Sequence, residues 1–180
     1  MTPPLVERAV AIAAALGFES SCTPETGRLL HVLAGMRGRE RVGETGTGIG
    51  YGAAWIVSAL DPSVPFFTAE LDEARAASAA KLFGGDERVH VLPGDWHDVL
   101  GRHAPFDLLF HDGSKRQPEL DGEETLRLVA PRGLIVMDDL TPGRPGTDAV
   151  RDFWLNHPDV AAVELQVSPE EAVIVAVRTR

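Results

Sequence analysis

The sequence has 180 residues, 44 % of them apolar, with 17 Lys and Arg against 27 Asp and Glu for a net charge of −10. That length suits one domain, 1–180, with a sizeable core, and the acidic balance argues against nucleic acid as main partner because phosphate binding needs clustered Lys and Arg. The single cysteine, Cys22, excludes an internal disulfide, and the opening MTPPLVERAVAIAAALGF reads neither as a signal peptide nor as a membrane span, so a cytoplasmic protein off the membrane is expected.

Residues 5–16 are alanine-rich with apolar positions at helical spacing and predict an amphipathic first helix. Thr23-Pro24-Glu25 reads as an N-cap followed by proline at the first helical position, opening a second helix over 24–36. These N-terminal helices (1–40) precede a sheet-forming core (41–180). Its centre is Arg41 to Leu60, RVGETGTGIGYGAAWIVSAL: a short strand, glycines at alternate positions (Gly46, Gly48, Gly50, Gly52), then an apolar helix. Glycine at that density lets backbone turn sharply and approach a ligand closely, and the helix start presents N–H groups to it.

Three ligand classes compete for this loop. A P-loop needs Gly-Lys-Ser/Thr, and no lysine is present. A dinucleotide fingerprint is met by Gly48, Gly50 and Ala53 in one register and fails in the other, where Tyr51 takes the third place. The remaining pattern, Glu44-x-Gly46-x-Gly48-x-Gly50, resembles motif I of the class I S-adenosylmethionine-dependent methyltransferases. That resemblance implies a loop of Gly46, Thr47, Gly48 and Gly50 beneath S-adenosylmethionine, with Glu44 helping to hold its amino-acid part.

Residues 65–70, PFFTAE, form a second strand ending in Glu70, before a helix over 71–82. Glu70 stands 20 residues past Gly50, about where a nucleotide-binding sheet places the carboxylate that accepts ribose hydroxyls; Asp72 is the fallback, and either acid can instead be an ordinary first-turn helix acid. RVHVL (88–92) is a third strand, followed by Pro93-Gly94-Asp95-Trp96. The acid and the aromatic there can grip an adenine by its amine and its face, or Trp96 can be core. PFDLLFH (105–111) reads as a buried parallel fourth strand ending in His111-Asp112-Gly113-Ser114-Lys115. A helix over 119–129, a turn at 131–133 and a fifth strand over 134–137 lead to Asp138-Asp139. After the loop 142–146, a helix spans 147–156, and 161–167 and 172–177 form an antiparallel hairpin.

Alternating strands and helices predict an α/β fold: one Rossmann-like, doubly wound, mostly parallel sheet of seven strands, the last antiparallel, flanked by helices. The terminal hairpin favours the methyltransferase over a dinucleotide dehydrogenase, which usually continues parallel. Ligands gather at the carboxyl ends of such strands, where Glu44, Glu70, Asp95, Asp112 and Asp138-Asp139 fall. Asp112, Asp138 and Asp139 come from adjoining strands, and three converging carboxylates repel unless a cation lies between them. All-oxygen ligation suits Mg²⁺ first, then Ca²⁺ or Mn²⁺. The plainer reading makes Asp112 and Asp139 caps of the following turns.

DLLFHDGSK followed by GLIVMDDLTPG resembles the cation-dependent O-methyltransferases of the catechol and caffeoyl-CoA type, over roughly 23–178. Asp112 and Lys115 match that family's Asp and Lys after the fourth strand, and Asp138 matches the Asp of its Asp-Asn pair. Asp139 stands where the family has Asn, and Ser114 replaces an acid common in bacterial members. The resemblance implies methyl transfer from S-adenosylmethionine to a hydroxyl of a small molecule. Asp112 then serves cofactor, cation and chemistry, and Lys115 is the base, with His111, His97 and His103 as rivals. Homodimers form through the opening helices in related enzymes, and the same is expected here. A metal-independent methyltransferase on N or O and an NAD-dependent oxidoreductase are the alternatives.

Overall fold

The computed structural model describes residues 2–19, 21–113 and 117–180. Seven strands form one sheet: β1 (Val42–Thr45), β2 (Phe66–Glu70), β3 (Val89–Pro93), β4 (Phe106–His111), β5 (Val129–Leu140), β6 (Val160–Gln166) and β7 (Ala172–Arg178). Their spatial order is β3-β2-β1-β4-β5-β7-β6. β1 to β5 pair in parallel, whereas β7 runs antiparallel to both β5 and β6. The hairpin expected at the C-terminus is therefore present, with its last strand slipped between β5 and β6. The seven-stranded Rossmann-like sheet read from the sequence is the fold of this chain.

The helices are α1 (Pro4–Leu16), α2 (Pro24–Ala34), α3 (Tyr51–Val57), α4 (Glu73–Leu82), α5 (Trp96–Val99), α6 (Pro118–Leu128) and α7 (Ala149–Asn156). Thr23 caps α2 by accepting from the Thr26 N–H at 3.3 Å, with Pro24 at the first position. All four β1 residues are buried, as are five of the six β4 residues, because helices cover both faces of the sheet. One apolar cluster joins α1 to α4 to one face, through residues such as Leu30, Trp55, Ile56 and Phe66. A second fills the other face with Phe106, Leu109, Ile135, Met137 and Trp154. Each such side chain, fully buried, stabilises the fold by about 1.5–3 kcal/mol. α2 approaches α3 so closely that a Cβ on Gly27 would lie 2.2 Å from Trp55 Nε1.

Several helix ends shift by one or two residues from expectation, and the larger differences lie around β5, α3 and α5. β5 begins at Val129 directly after α6 and takes in the turn predicted at 131–133, with a register shift against β4 between Phe106 and Leu108 and Arg132 at φ 67°. It also continues to Leu140 rather than ending at Met137. α3 stops at Val57, and the turn read at Asp95-Trp96 opens a short helix, α5, capped by Asp95.

The sheet order reverses direction between β1 and β4. The cleft at the carboxyl ends of these two neighbours is the topological switch point, where open parallel sheets collect ligands.

Candidate active site

The glycine loop leaves β1 at this switch point and is fastened to β2: the N–H groups of Gly46 and Thr47 both donate to the Ala69 carbonyl, at 3.0 and 3.1 Å. Gly46 adopts φ 84°, and a Cβ there would sit 2.7 Å from the Asp112 carbonyl oxygen. Only glycine lets the loop pass this close to the end of β4. Beside the loop lies a cavity of about 740 Å³, the size of small-molecule sites, lined by Gly46, Gly48, Glu70, Asp95, Trp96, Asp112, Gly113 and Asp139 among others.

Glu70, at the end of β2, is held from several sides. One carboxylate oxygen accepts from the Gly48 N–H at 2.7 Å; the other accepts from the Asp72 N–H at 2.9 Å and from Arg75 Nε at 3.0 Å. Arg75 also closes an ion pair with it at 2.9 Å and lies over the Phe18 ring at 5.9 Å. The carboxylate is thus fixed between loop and helix, at the cavity wall, before any ligand arrives. Asp72, the fallback, instead caps α4.

Asp95 and Trp96 line the far side of the cavity. Trp96 belongs to the core cluster and also faces the cavity, so both readings of it hold. His97 stacks on Trp96 at 3.6 Å and meets Asp95, Glu124 and Asp121 at 2.6, 3.2 and 3.4 Å. Partial burial works against its charged form, but Asp95, Glu124 and Asp121 outweigh it and raise the imidazole pKa. Seven carboxylates face this cavity (Glu70, Asp95, Asp98, Asp112, Asp121, Glu124 and Asp139), against Arg75 and His97 among the described residues.

Asp112, Asp138 and Asp139 converge: each offers an oxygen, and these oxygens lie within 4.8 Å of one another. Neighbouring residues of a strand normally point to opposite faces, so Asp138 and Asp139 together need a local break. The break is there. The β5–β7 register slips between Met137 and Leu140, and Asp139 takes φ 62°. Such a bulge re-aims side chains, here bringing two adjacent aspartates toward Asp112 at the end of β4. Asp138 is fully buried and its carboxyl is pushed up to about 8, by burial first, then by the nearby Glu171 and Asp139, against a hydrogen bond from the Asp139 backbone. The three donors are all oxygens of hard-cation type and are crowded enough to need a compensating charge, so the residues present fit a divalent cation.

Of the residues expected to bind cofactor, Glu44, Thr47 and Gly50 lie off the cavity wall. Glu44 is 1 % exposed; one oxygen accepts from Thr68 Oγ1 at 2.5 Å, and the other rests where a Cβ on Gly52 would come within 2.9 Å. Burial raises its carboxyl to about 8, with the Thr68 hydroxyl opposing and Glu70 reinforcing the shift. Thr47 is tied to Thr68 through their hydroxyls at 2.5 Å, and Gly50 is the N-cap of α3, beside Phe83. These three residues shape the loop from below. Asp138 likewise lies beneath the cavity floor while Asp139 lines it.

Among the rival bases, His111 is 1 % exposed and braces Thr45 and Thr125 at 3.0 and 3.3 Å, so it is a buried strut. His103 stacks on Phe67 at 4.4 Å, and its carbonyl accepts from Arg41, at the opposite ends of the strands. Lys115 and Ser114 lie outside the described residues. Sequence reasoning missed Phe18, Arg75, Asp121 and Glu124. Arg75 carried a signal, since it follows the helix-capping Asp72 by one turn; the others reach the cavity only through packing.

No helix among the described residues is long and apolar enough to cross a membrane. Residues 44–140 match the family described as a methyltransferase domain. The chain is 33 % identical over 153 residues to a protein of Mycobacterium sp. (strain JLS) named as a candidate O-methyltransferase, covering 81 % of this chain and 67 % of that one. A similarly named protein of Mycolicibacterium vanbaalenii is 31 % identical over 164 residues, covering 87 % and 68 %. Two further mycobacterial relatives are covered over 61 % of their length, less than two thirds. Among solved structures, the O-methyltransferase TomG from Streptomyces achromogenes, in complex with SAM, superposes with a TM-score of 0.84 at 25 % identity, covering 100 % of this chain and 92 % of that one. An O-methyltransferase from Bacillus cereus in complex with SAH gives 0.84 at 24 % identity, covering 99 % and 92 %. With its match extending over more than half of its length, the chain belongs to the methyltransferase-domain family.

Proposed function

We propose that this protein transfers a methyl group from S-adenosylmethionine to a hydroxyl of a small molecule, with a divalent cation, Mg²⁺ first, assisting. The observation that carries the reading is the acid-lined cavity over the glycine loop. S-adenosylmethionine brings a sulfonium and an ammonium, both attracted by carboxylates, whereas a dinucleotide brings a pyrophosphate that the same wall repels. Two relatives of the same fold were solved with SAM or SAH bound, which supports the same choice.

The sulfonium methyl is activated before it binds, so the chain's work is alignment and charge. Glu70, fixed by Gly48, Asp72 and Arg75, would accept the ribose hydroxyls. Trp96 and Asp95 offer a face and an acceptor for the adenine. Asp112, Asp138 and Asp139 would hold the cation, which supplies positive charge to an acceptor hydroxyl and lowers its pKa. Lys115, matched by resemblance to the lysine of the cation-dependent O-methyltransferases, is the base that takes the hydroxyl proton. His97 is the described histidine on the cavity wall, yet its carboxylate partners favour its charged form, which weakens it as a base.

Calorimetric titration with S-adenosylhomocysteine and with NAD tests the cofactor. Binding of S-adenosylhomocysteine with no heat from NAD is expected; the reverse would overturn the assignment.

A further inference from the structure

His97 has no role in the transfer described above, yet its side chain joins two walls of the cavity. α5 rests on β2, α6 leans on β4, β5 and α7, and the imidazole reaches from the first helix to the second. Asp95 Oδ1, at the cap of α5, accepts from the His97 N–H at 3.1 Å and meets the ring Nδ1 at 2.6 Å. On the other side of the ring, Nε2 meets Glu124 Oε2 at 3.2 Å and Asp121 Oδ1 at 3.4 Å, both on α6. Asp121 accepts through its other oxygen from the Gln117 N–H at 3.1 Å, which carries the contact to the start of that helix. The ring itself lies stacked on Trp96. Both ring nitrogens thus face carboxylate oxygens. A neutral imidazole has one N–H and one lone pair and would turn the lone pair on an acid; only the imidazolium donates both ways.

We propose that His97 is a positioning residue for the cofactor: as imidazolium it clasps α5 to the first two turns of α6 and so holds Asp95 and Trp96 at the adenine end of the cavity. The inference rests on the cofactor reading above. Asp95 and Trp96 stand at the start of a helix of four residues, too short to hold a wall in place without an outside tie. Without the proton, the carboxylates on either side of the ring repel one another and the two walls part. The charged groups acting on the ring are Asp95 on its own helix and Glu124 and Asp121 from α6, with Asp98, Glu70, Arg75 and Asp112 elsewhere on the same cavity wall. Cofactor binding favours the clasped, protonated form. Affinity is therefore full at low pH and falls as pH rises through the His97 value, which the carboxylates lift above 6.5 against the effect of burial.

The test is calorimetric titration of the full chain with S-adenosylhomocysteine from about pH 6 to about pH 9, spanning the imidazole range, beside His97→Gln. Glutamine keeps a donor and an acceptor but neither donates in both directions nor titrates. The unaltered chain is expected to lose about 5-fold in affinity across this range beyond any change in the variant, the weight of a partly exposed ion pair. The variant should bind at the weaker level throughout. Glu44 and Asp138 titrate near the top of the range in both chains, so the difference between the two profiles reads His97. By linkage, saturating S-adenosylhomocysteine should also raise the pH midpoint at which the His97 ring protons shift in the NMR spectrum of the unaltered chain. Parallel pH profiles in the two chains overturn the inference, as does a His97 midpoint that S-adenosylhomocysteine leaves unmoved. Absence of S-adenosylhomocysteine binding by the unaltered chain at every pH overturns the cofactor reading itself, and this inference with it.

Discussion

Replacing Glu70 by glutamine changes charge and donor pattern at nearly constant volume, which makes it a clean probe of the cofactor site. Both oxygens of Glu70 accept N–H groups: Gly48 on one side, Asp72 and Arg75 on the other. A glutamine has one acceptor, so its NH₂ must face N–H donors whichever way it turns. The Arg75 partner is 44 % exposed, and its ion pair counts for little beyond the about 0–1 kcal/mol of surface pairs. The Gly48 bond is different: at 2.7 Å, to a carboxylate only 6 % exposed, it fixes the middle of the loop. Losing one charge-assisted bond costs about 1.5–3 kcal/mol. If that bond and the ribose acceptor are what the cofactor reads, S-adenosylhomocysteine should bind about 10–150-fold more weakly, at about 1.4 kcal/mol per factor of ten. Calorimetry on the variant measures this, with thermal unfolding showing that the chain is folded. Affinity equal to that of the unaltered chain would refute the role of Glu70.

Glu44 makes stability pH-dependent in a direction opposite to most acids. Its folded carboxyl is raised from 4.5 to about 8, so the folded state holds a proton that the unfolded state has lost. That stabilisation is complete below the unfolded value and falls as pH rises toward about 8, at up to about 1.4 kcal/mol per pH unit. Denaturant midpoints across this range should fall, and Glu44→Gln should flatten the fall; an unaltered slope would contradict it. Asp139→Asn, which restores the residue expected by resemblance, should retain methyl transfer while shifting preference among Mg²⁺, Mn²⁺ and Ca²⁺; complete loss would mean that all three carboxylates are required. Val10 and Leu16 on α1, Val32 on α2 and Met36 just after it are exposed, apolar surface suited to pairing two copies, and sedimentation at micromolar concentration should give a dimer mass. A monomer mass would remove that expectation.

The sheet and its ligand-binding edge were legible because they follow from local signals. Buried parallel strands are continuous apolar runs, as PFDLLFH is, whereas the strand at RVGET was marked by the glycine loop and apolar helix that follow it. Acids at strand ends then had to meet at one edge once the order of strands was known. Glu44 lies off the cavity wall for a physical reason. It is the third residue of β1, buried like its neighbours, and whether its carboxyl turns up to a ligand or under the loop depends on Thr68 from the adjacent strand. The bulge at Asp138-Asp139 was hidden because it is a property of the β5–β7 pairing, although two adjacent acids at a strand end hinted at it. Glu171, whose charge helps to raise the Asp138 carboxyl, was invisible. Its partners Thr23 and Thr26 lie 148 and 145 positions away, and no spacing rule reaches that far.

The central claim is cation-assisted transfer of a methyl group to a hydroxyl, and its most direct test is turnover with S-adenosylmethionine across a panel of small phenols and catechols, in Mg²⁺ and in EDTA. S-adenosylhomocysteine affinity is measured in the same samples. The account predicts methylated product in Mg²⁺, none in EDTA, and nearly equal S-adenosylhomocysteine affinity in both, because Glu70, the glycine loop and the Asp95-Trp96 turn hold the cofactor without the cation. Undiminished product in EDTA would contradict it and leave Asp112, Asp138 and Asp139 as structural groups.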